Sequence, residues 1–135
     1  MATPTAATGL KQKMAQAGVR FQQVKTLEEL DAAIAASDKP VMLDFYADWC
    51  VSCIEMERFT FPVPEVASRL ASFTLLQADV TANDSADRAL LKRFRLFGPP
   101  GIIFFDRDGQ VLSEPRVIGF QNAARFAAQL DRVPR

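Results

Sequence analysis

Two cysteines three positions apart, Cys50 and Cys53, stand where an apolar run gives way to a helical pattern, and the 135 residues contain no other cysteine. The run before them, Val41-Met42-Leu43-Asp44-Phe45-Tyr46, is a strand by composition. A C-x-x-C spacing at a strand-to-helix junction places the second sulfur one helical turn below the first. Such a pair can close a small disulfide ring and reopen it, with one sulfur facing solvent at the helix start and the other beneath it as the resolving thiol. Two other uses of the pair stand against this one. Structural zinc needs four ligands from Cys and His; with no histidine and no third cysteine, it would take two chains or carboxylate ligands. A purely structural disulfide over two intervening residues removes little loop entropy and stabilises weakly. Reversible redox chemistry is the expectation.

Composition narrows the class. Sixteen basic and sixteen acidic residues cancel. That argues against a nucleic-acid partner, which wants a basic face, and against polybasic membrane attachment. No apolar run approaches the ~18 residues of a membrane span, so no direct membrane insertion is expected, and a monomer is expected. The first residues lack the basic and apolar regions of a signal peptide. Residues 1–18, rich in Ala, Thr, Gln and Lys, read as a mobile linker or an appended segment. The chain is then either cytosolic or a piece of something larger.

Element signals follow in order. Arg20 to Val24 alternates as a short edge strand. Thr26 and Glu29 form a capping box for a helix with Leu27, Leu30 and Ile34 on one face. Val41 to Tyr46 is nearly all apolar, as in a central strand covered on both sides. A helix from Cys50 to about Phe59 is broken at Pro62 and Pro64 and restarts briefly to Leu70. Phe73 to Val80 is a strand. Asn83 or Asp84 caps a helix carrying Ala86, Leu90 and Phe94. Ile102 to Phe105, a turn at 106–109 and a returning strand through Val117 make a hairpin, bulged around Glu114-Pro115. Asn122 caps a last helix. The early strand–helix alternation implies parallel strands with right-handed crossovers, and the hairpin adds antiparallel pairing. The fold class is α/β: a mixed central sheet with helices on both faces.

Several segments together carry a resemblance. Asp44 to Cys53, with a proline before a strand some fifty residues on, resembles the thioredoxin superfamily. Val41 to Cys53, the following Glu55-Met56-Glu57-Arg58-Phe59-Thr60-Phe61, Leu75-Leu76-Gln77-Ala78-Asp79-Val80-Thr81-Ala82-Asn83-Asp84 and Val117-Ile118-Gly119-Phe120 are similar to the C-terminal periplasmic domain of the DsbD family of thiol:disulfide interchange proteins. The likeness covers roughly residues 20–132 and makes residues 19–135 a thioredoxin-like domain. It implies a thioredoxin fold and no cofactor beyond the Cys50–Cys53 disulfide. It also implies a periplasmic domain of an inner-membrane protein that feeds processes such as cytochrome c biogenesis. Its partners would be the transmembrane domain and the N-terminal periplasmic domain of the same parent. A free-standing thioredoxin-like reductase and a redox-silent interaction module are the rival readings.

Residue roles follow from both sources. Cys50 is expected to attack, its thiolate favoured by helix N-terminal amides, and Cys53 to resolve. Alternation puts Asp44 with Met42 and Tyr46 on one sheet face, where an acid is either costly or useful; the resemblance gives it proton transfer at Cys53. Glu57, seven residues after Cys50, returns to within ~20° of its direction, and the family has a Glu there. Trp49, Val51 and Ser52 frame the pair as partner contacts. Pro100 matches the superfamily's cis-proline. Pro99 before it has no N–H, so one docking hydrogen bond is lost, and Gly101 stands where a Thr is usual. With Asp44, Asp48, Glu55 and Glu57 near the sulfurs, Cys50 is expected to be a reluctant nucleophile. Docking is expected to rely on shape and apolar contact.

Overall fold

Val41–Tyr46 (β2) is buried along its whole length, in a computed structural model that describes residues 6–135. An apolar hexapeptide of this kind demands cover on both faces, and the rest of the chain supplies it. On one side β2 pairs in parallel with Thr74–Asp79 (β3), which pairs in parallel with the two-residue edge strand Gln22–Gln23 (β1). On the other side β2 pairs antiparallel with Gly101–Phe105 (β4), and β4 pairs antiparallel with Val111–Val117 (β5). The five strands run β1-β3-β2-β4-β5. The mixed sheet expected from the sequence is therefore present.

Helices cover each face. Leu27–Ala35 (α2) starts at the Thr26–Glu29 capping box, and Ser85–Arg93 (α5) at a second box formed by Asp84 and Asp87. Leu30 and Leu90 from these helices meet Val41, Leu43, Phe45 and Leu76 in one core. Phe94 extends it, edge-on to Phe45 and Phe105 with ring centroids 5.9 and 5.8 Å apart. The opposite core joins Met42 and Phe104 to Met56, Phe61 and Val66, and to Phe126 and Leu130 of Ala123–Asp131 (α6). Between β2 and β3 the chain runs through Val51–Glu55 (α3), a π-helical turn at Met56–Thr60, and Pro64–Leu70 (α4). The wide turn is closed by Phe61 N–H donating to the Met56 carbonyl five residues back at 2.9 Å. No helix among the described residues is long and apolar enough to cross a membrane.

Two local features depart from the sequence reading, and a third gives an expected irregularity its form. The expected linker at 1–18 holds a helix, Ala6–Gln16 (α1), whose Leu10 and Met14 are buried; Met14 joins the second core. Its low overall hydrophobicity hid two apolar residues at i and i+4, the minimum that docks a helix. Residues 1–5 of that segment lie outside the described residues. The π turn interrupts what was expected to be one regular helix. The expected irregularity in β5 takes the form of a register shift opposite Ile103 and Phe105, together with a cis peptide at Glu114–Pro115.

If α1 is a core element, Met14→Ala should destabilise the domain by about 2–4 kcal/mol, the ordinary cost of emptying a buried Met site. Urea unfolding of the full chain measures it. A loss below about 0.5 kcal/mol, within the usual range for surface substitutions, would mean that the helix is only loosely attached.

Candidate active site

Cys50 is the N-cap residue of α3, and its sulfur accepts the Cys53 N–H at 3.2 Å. The two cysteines are joined in a disulfide. A sulfur at this position receives the unpaired amides of the first helical turn, which favour a thiolate. Cys53 Sγ lies 3.7 Å from the carbonyl oxygen of Phe45, so a reduced Cys53 thiol can donate there. The sequence predicts an exposed Cys50 above a shielded Cys53. In the disulfide form that contrast is absent, with residue exposures of 6% and 4%, because the Cys50 sulfur folds back over the helix start. What distinguishes the two is helix position.

One residue before Phe45, Asp44 is buried in the strand. Its register partner on β3 is Gln77, whose Nε2 donates to Asp44 Oδ2 at 2.9 Å and to Glu57 Oε2 at 3.1 Å. A single amide thus bridges the strand acid and the π-turn acid. Both were expected near the cysteines, and here they share one donor. Gln77 Oε1 in turn accepts from Gln23 Nε2 at 2.8 Å and from Lys11 Nζ at 2.9 Å, and Lys11 Nζ also lies 2.9 Å from Glu57 Oε2. Glu57 is wholly buried, and its Oε1 has no hydrogen-bond partner among the described residues. Burial pushes the Asp44 carboxyl from 3.8 up to about 7; the Gln77 bond and the Lys11 charge pull down and the Glu57 charge pushes up, but burial prevails. Tyr46, with its hydroxyl donating to Asp48 Oδ1 at 3.0 Å, is also pushed up by burial.

Two acids expected in this cluster lie outside that hydrogen-bonded network. Asp48 is engaged by the Tyr46 hydroxyl, its N–H donates to Thr81 Oγ1, and Glu55 is half-exposed. Lys11 places a cation beside the buried acids, which the sequence reading did not foresee. Sequence reading missed Lys11 because α1 was read as linker. It missed Gln77 because a neutral amide in a strand shows its partner only once the β2–β3 register is known.

The residues expected to contact a partner differ in exposure. Trp49 (59%) and Val51 (72%) are exposed, and Ser52, Pro99 and Pro100 are half-buried. Trp49 is pinned by its Nε1 donating to the Thr81 carbonyl at 3.1 Å, so a fixed ring faces outward. The Pro99–Pro100 peptide is cis. A fully exposed Phe97 precedes this loop and was not singled out from the sequence. At Gly101 the space of the missing side chain is already filled: a Cβ there would lie 2.9 Å from Leu96 Cδ1. Among the described residues no group of three or more His, Cys, Asp or Glu side chains is placed to hold a metal ion.

Residues 27–134 match the family described as "Thioredoxin-like domain". The chain is 58% identical over 118 residues, 85% of its length, to the thiol:disulfide interchange protein DsbD of Ralstonia nicotianae. It is 52% identical over 121 residues to DsbD of Escherichia coli K12. It spans only about a fifth of the length of these relatives, 19% and 21%. Among solved structures, the oxidised DsbD C-terminal domain of Neisseria meningitidis superposes with a TM-score of 0.70 at 38% identity, covering 84% of this chain and all of that one.

The raised Asp44 value makes a stability prediction. An acid whose folded pKa exceeds its unfolded value contributes fully below the unfolded value, near 4, and loses that contribution as pH rises through about 7. At about 1.4 kcal/mol per pH unit, the full loss is on the order of 4 kcal/mol. Asp44→Asn should therefore be close to wild type in stability at pH 4 and more stable by about 2–4 kcal/mol at pH 8.5. A difference between the two proteins that stays constant across that range would show that Asp44 is not buried as a titrating group.

Proposed function

Because the chain belongs to the thioredoxin-like family, and within it to the DsbD C-terminal domains, we propose that it relays electrons by thiol–disulfide exchange between two partner domains of a larger protein. In this reading it is the periplasmic C-terminal domain of an inner-membrane protein. A transmembrane domain reduces it, and it reduces the N-terminal domain. Protein-disulfide reduction needs no further cofactor, since the two electrons are held by the sulfurs of Cys50 and Cys53. The single observation that carries the proposal is the Cys50–Cys53 disulfide at the cap of α3, with Cys53 Sγ 3.7 Å from the carbonyl oxygen of Phe45, the strand neighbour of a buried carboxyl raised to about 7.

The steps balance. The Cys50 thiolate attacks one sulfur of the partner disulfide, forming a mixed disulfide and releasing the partner's second sulfur as a thiolate. Cys53 then loses its proton to the Asp44 carboxylate and attacks Cys50 Sγ. The Cys50–Cys53 bond forms, the mixed disulfide breaks, and the partner leaves with two electrons. A carboxyl near pH 7 suits that proton transfer, because an acceptor works best when its pKa lies near the operating pH. Burial holds that carboxyl in its raised range, and the charge of Glu57 adds to it. The reverse sequence recharges the domain from its donor.

Docking in this reading uses Trp49, Val51 and Ser52 on one side and the cis Pro99–Pro100 loop on the other. Pro99 can accept a hydrogen bond through its carbonyl but has no N–H to donate, so side-chain contact carries more of the affinity. The exposed apolar side chains of Trp49, Val51 and Phe97 supply the kind of surface that interfaces use.

Titration against a glutathione series should show the wild-type domain cycling between dithiol and disulfide; a domain that does not cycle is an interaction module, and the proposal fails. Cys53→Ala should trap a mixed disulfide with an oxidised partner mimic, while Cys50→Ala should not. Equal trapping by both variants would refute Cys50 as the attacking sulfur.

A further inference from the structure

The cation in the buried acid cluster comes from the first helix, α1. Lys11 lies on α1, ahead of the segment 27–134 that matches the thioredoxin-like family, yet its ammonium group reaches the centre of the site. It makes three contacts there: Glu57 Oε2 at 2.9 Å, Gln77 Oε1 at 2.9 Å, and the face of the Tyr46 ring with its centroid 4.5 Å away. The Glu57 side chain is wholly covered, whereas the Lys11 side chain keeps 38% of its surface in solvent. The long stem thus carries a partly solvated charge to a buried one, the usual way a lysine serves an apolar site.

The hydrogen-bond directions make the arrangement specific. Lys11 and Gln23 both donate to Gln77 Oε1. That fixes which way the amide points, so both N–H groups of Gln77 must face Asp44 and Glu57. Without Lys11, Glu57 keeps a buried carboxyl whose Oε1 already has no partner among the described residues, and Gln77 has one fewer donor holding its orientation. Unpaired buried charge is costly, and the negative charge of the cluster is no longer opposed. Protons are then the remaining compensation.

We propose that Lys11 is a positioning residue of the redox site: from α1 it acts through Glu57 and Gln77 to favour the ionised form of Asp44. The groups around Asp44 are few. Glu57 faces it from the π turn, Lys11 from α1 and Tyr46 from β2 itself. β3 contributes the uncharged Gln77, β1 the uncharged Gln23, and β4 the apolar register partner Ile102. The Cys50–Cys53 pair does not titrate while oxidised, so the charge relation can be read without interference from thiols. The role in exchange rests on the proposed function; the charge relation does not.

The test is a carboxyl-carbon NMR titration of Asp44 in the oxidised full chain. In Lys11→Met and in Lys11→Gln, which keeps a donor but not the charge, the Asp44 midpoint should rise by about one pH unit or more. Lys11→Arg should restore it to within about 0.3 unit of wild type. A midpoint unmoved in a folded Met or Gln variant overturns the proposal, as does an Arg variant that moves it equally. A second readout separates this from the exchange mechanism: the pH profile of mixed-disulfide resolution by Cys53. If it rises in parallel, both readings are supported. If the Asp44 midpoint moves and the profile does not, Lys11 sets the charge as proposed and the part assigned to Asp44 in exchange is wrong.

Discussion

One side-chain amide holds two buried carboxyls. Gln77 has two N–H groups, and both are used, one on Asp44 and one on Glu57. A carboxyl inside a strand covered on both faces must find donors or give up its charge. Asp44 does some of each: it has one good hydrogen bond and a pKa raised to about 7. Much of the geometry on this side of the sheet is set by that requirement. The β2–β3 register must put residue 77 beside residue 44. A one-residue slip would turn the amide to the opposite face. The π turn must deliver Glu57 inward, and α1 must dock so that Lys11 can answer the remaining negative charge.

Two opposing electrostatic effects bear on a thiolate at a helix cap beside buried acids. The cap position of Cys50 favours its thiolate by about 0.3–1 kcal/mol, and up to about 2 when partly buried. A carboxylate within about 4–6 Å can oppose it by 1–3 pKa units, or about 1.4–4 kcal/mol. On these magnitudes one ionised acid near the sulfurs cancels the helix and a second outweighs it. Lys11 tempers that balance, and so does partial protonation of Asp44 near neutrality. On the function proposed above, the dithiol of the free domain would be held back, and its reactivity would follow the protonation of Asp44. A docked partner that changes water access to that group would change the rate.

How much of this was legible in the sequence depends on how local each signal is. The capping box at Thr26, the buried hexapeptide Val41–Tyr46 and the hairpin turn at 106–109 are written in adjacent residues and form where expected, and of the two candidate caps Asn83 and Asp84 it is Asp84 that caps α5. Asp44 and Glu57 stood out because an acid in an apolar run and an acid one helical repeat from Cys50 are both visible in one dimension. Gln77 and Lys11 were not visible. An amide in a strand and a lysine in a polar segment have meaning only through register and docking, which join residues 33 and 46 positions apart. The same holds at Gly101, where Leu96 fills the space.

The central claim is that the buried acids, more than the helix terminus, govern the attacking thiol. The most direct measurement is the pH dependence of iodoacetamide alkylation of Cys50 in the reduced domain, for wild type and for Asp44→Asn combined with Glu57→Gln. The wild-type midpoint should lie above the ~8.5 of an ordinary cysteine, and the double variant should bring it down by one pH unit or more. A wild-type midpoint near neutrality that the double substitution leaves in place would contradict the account.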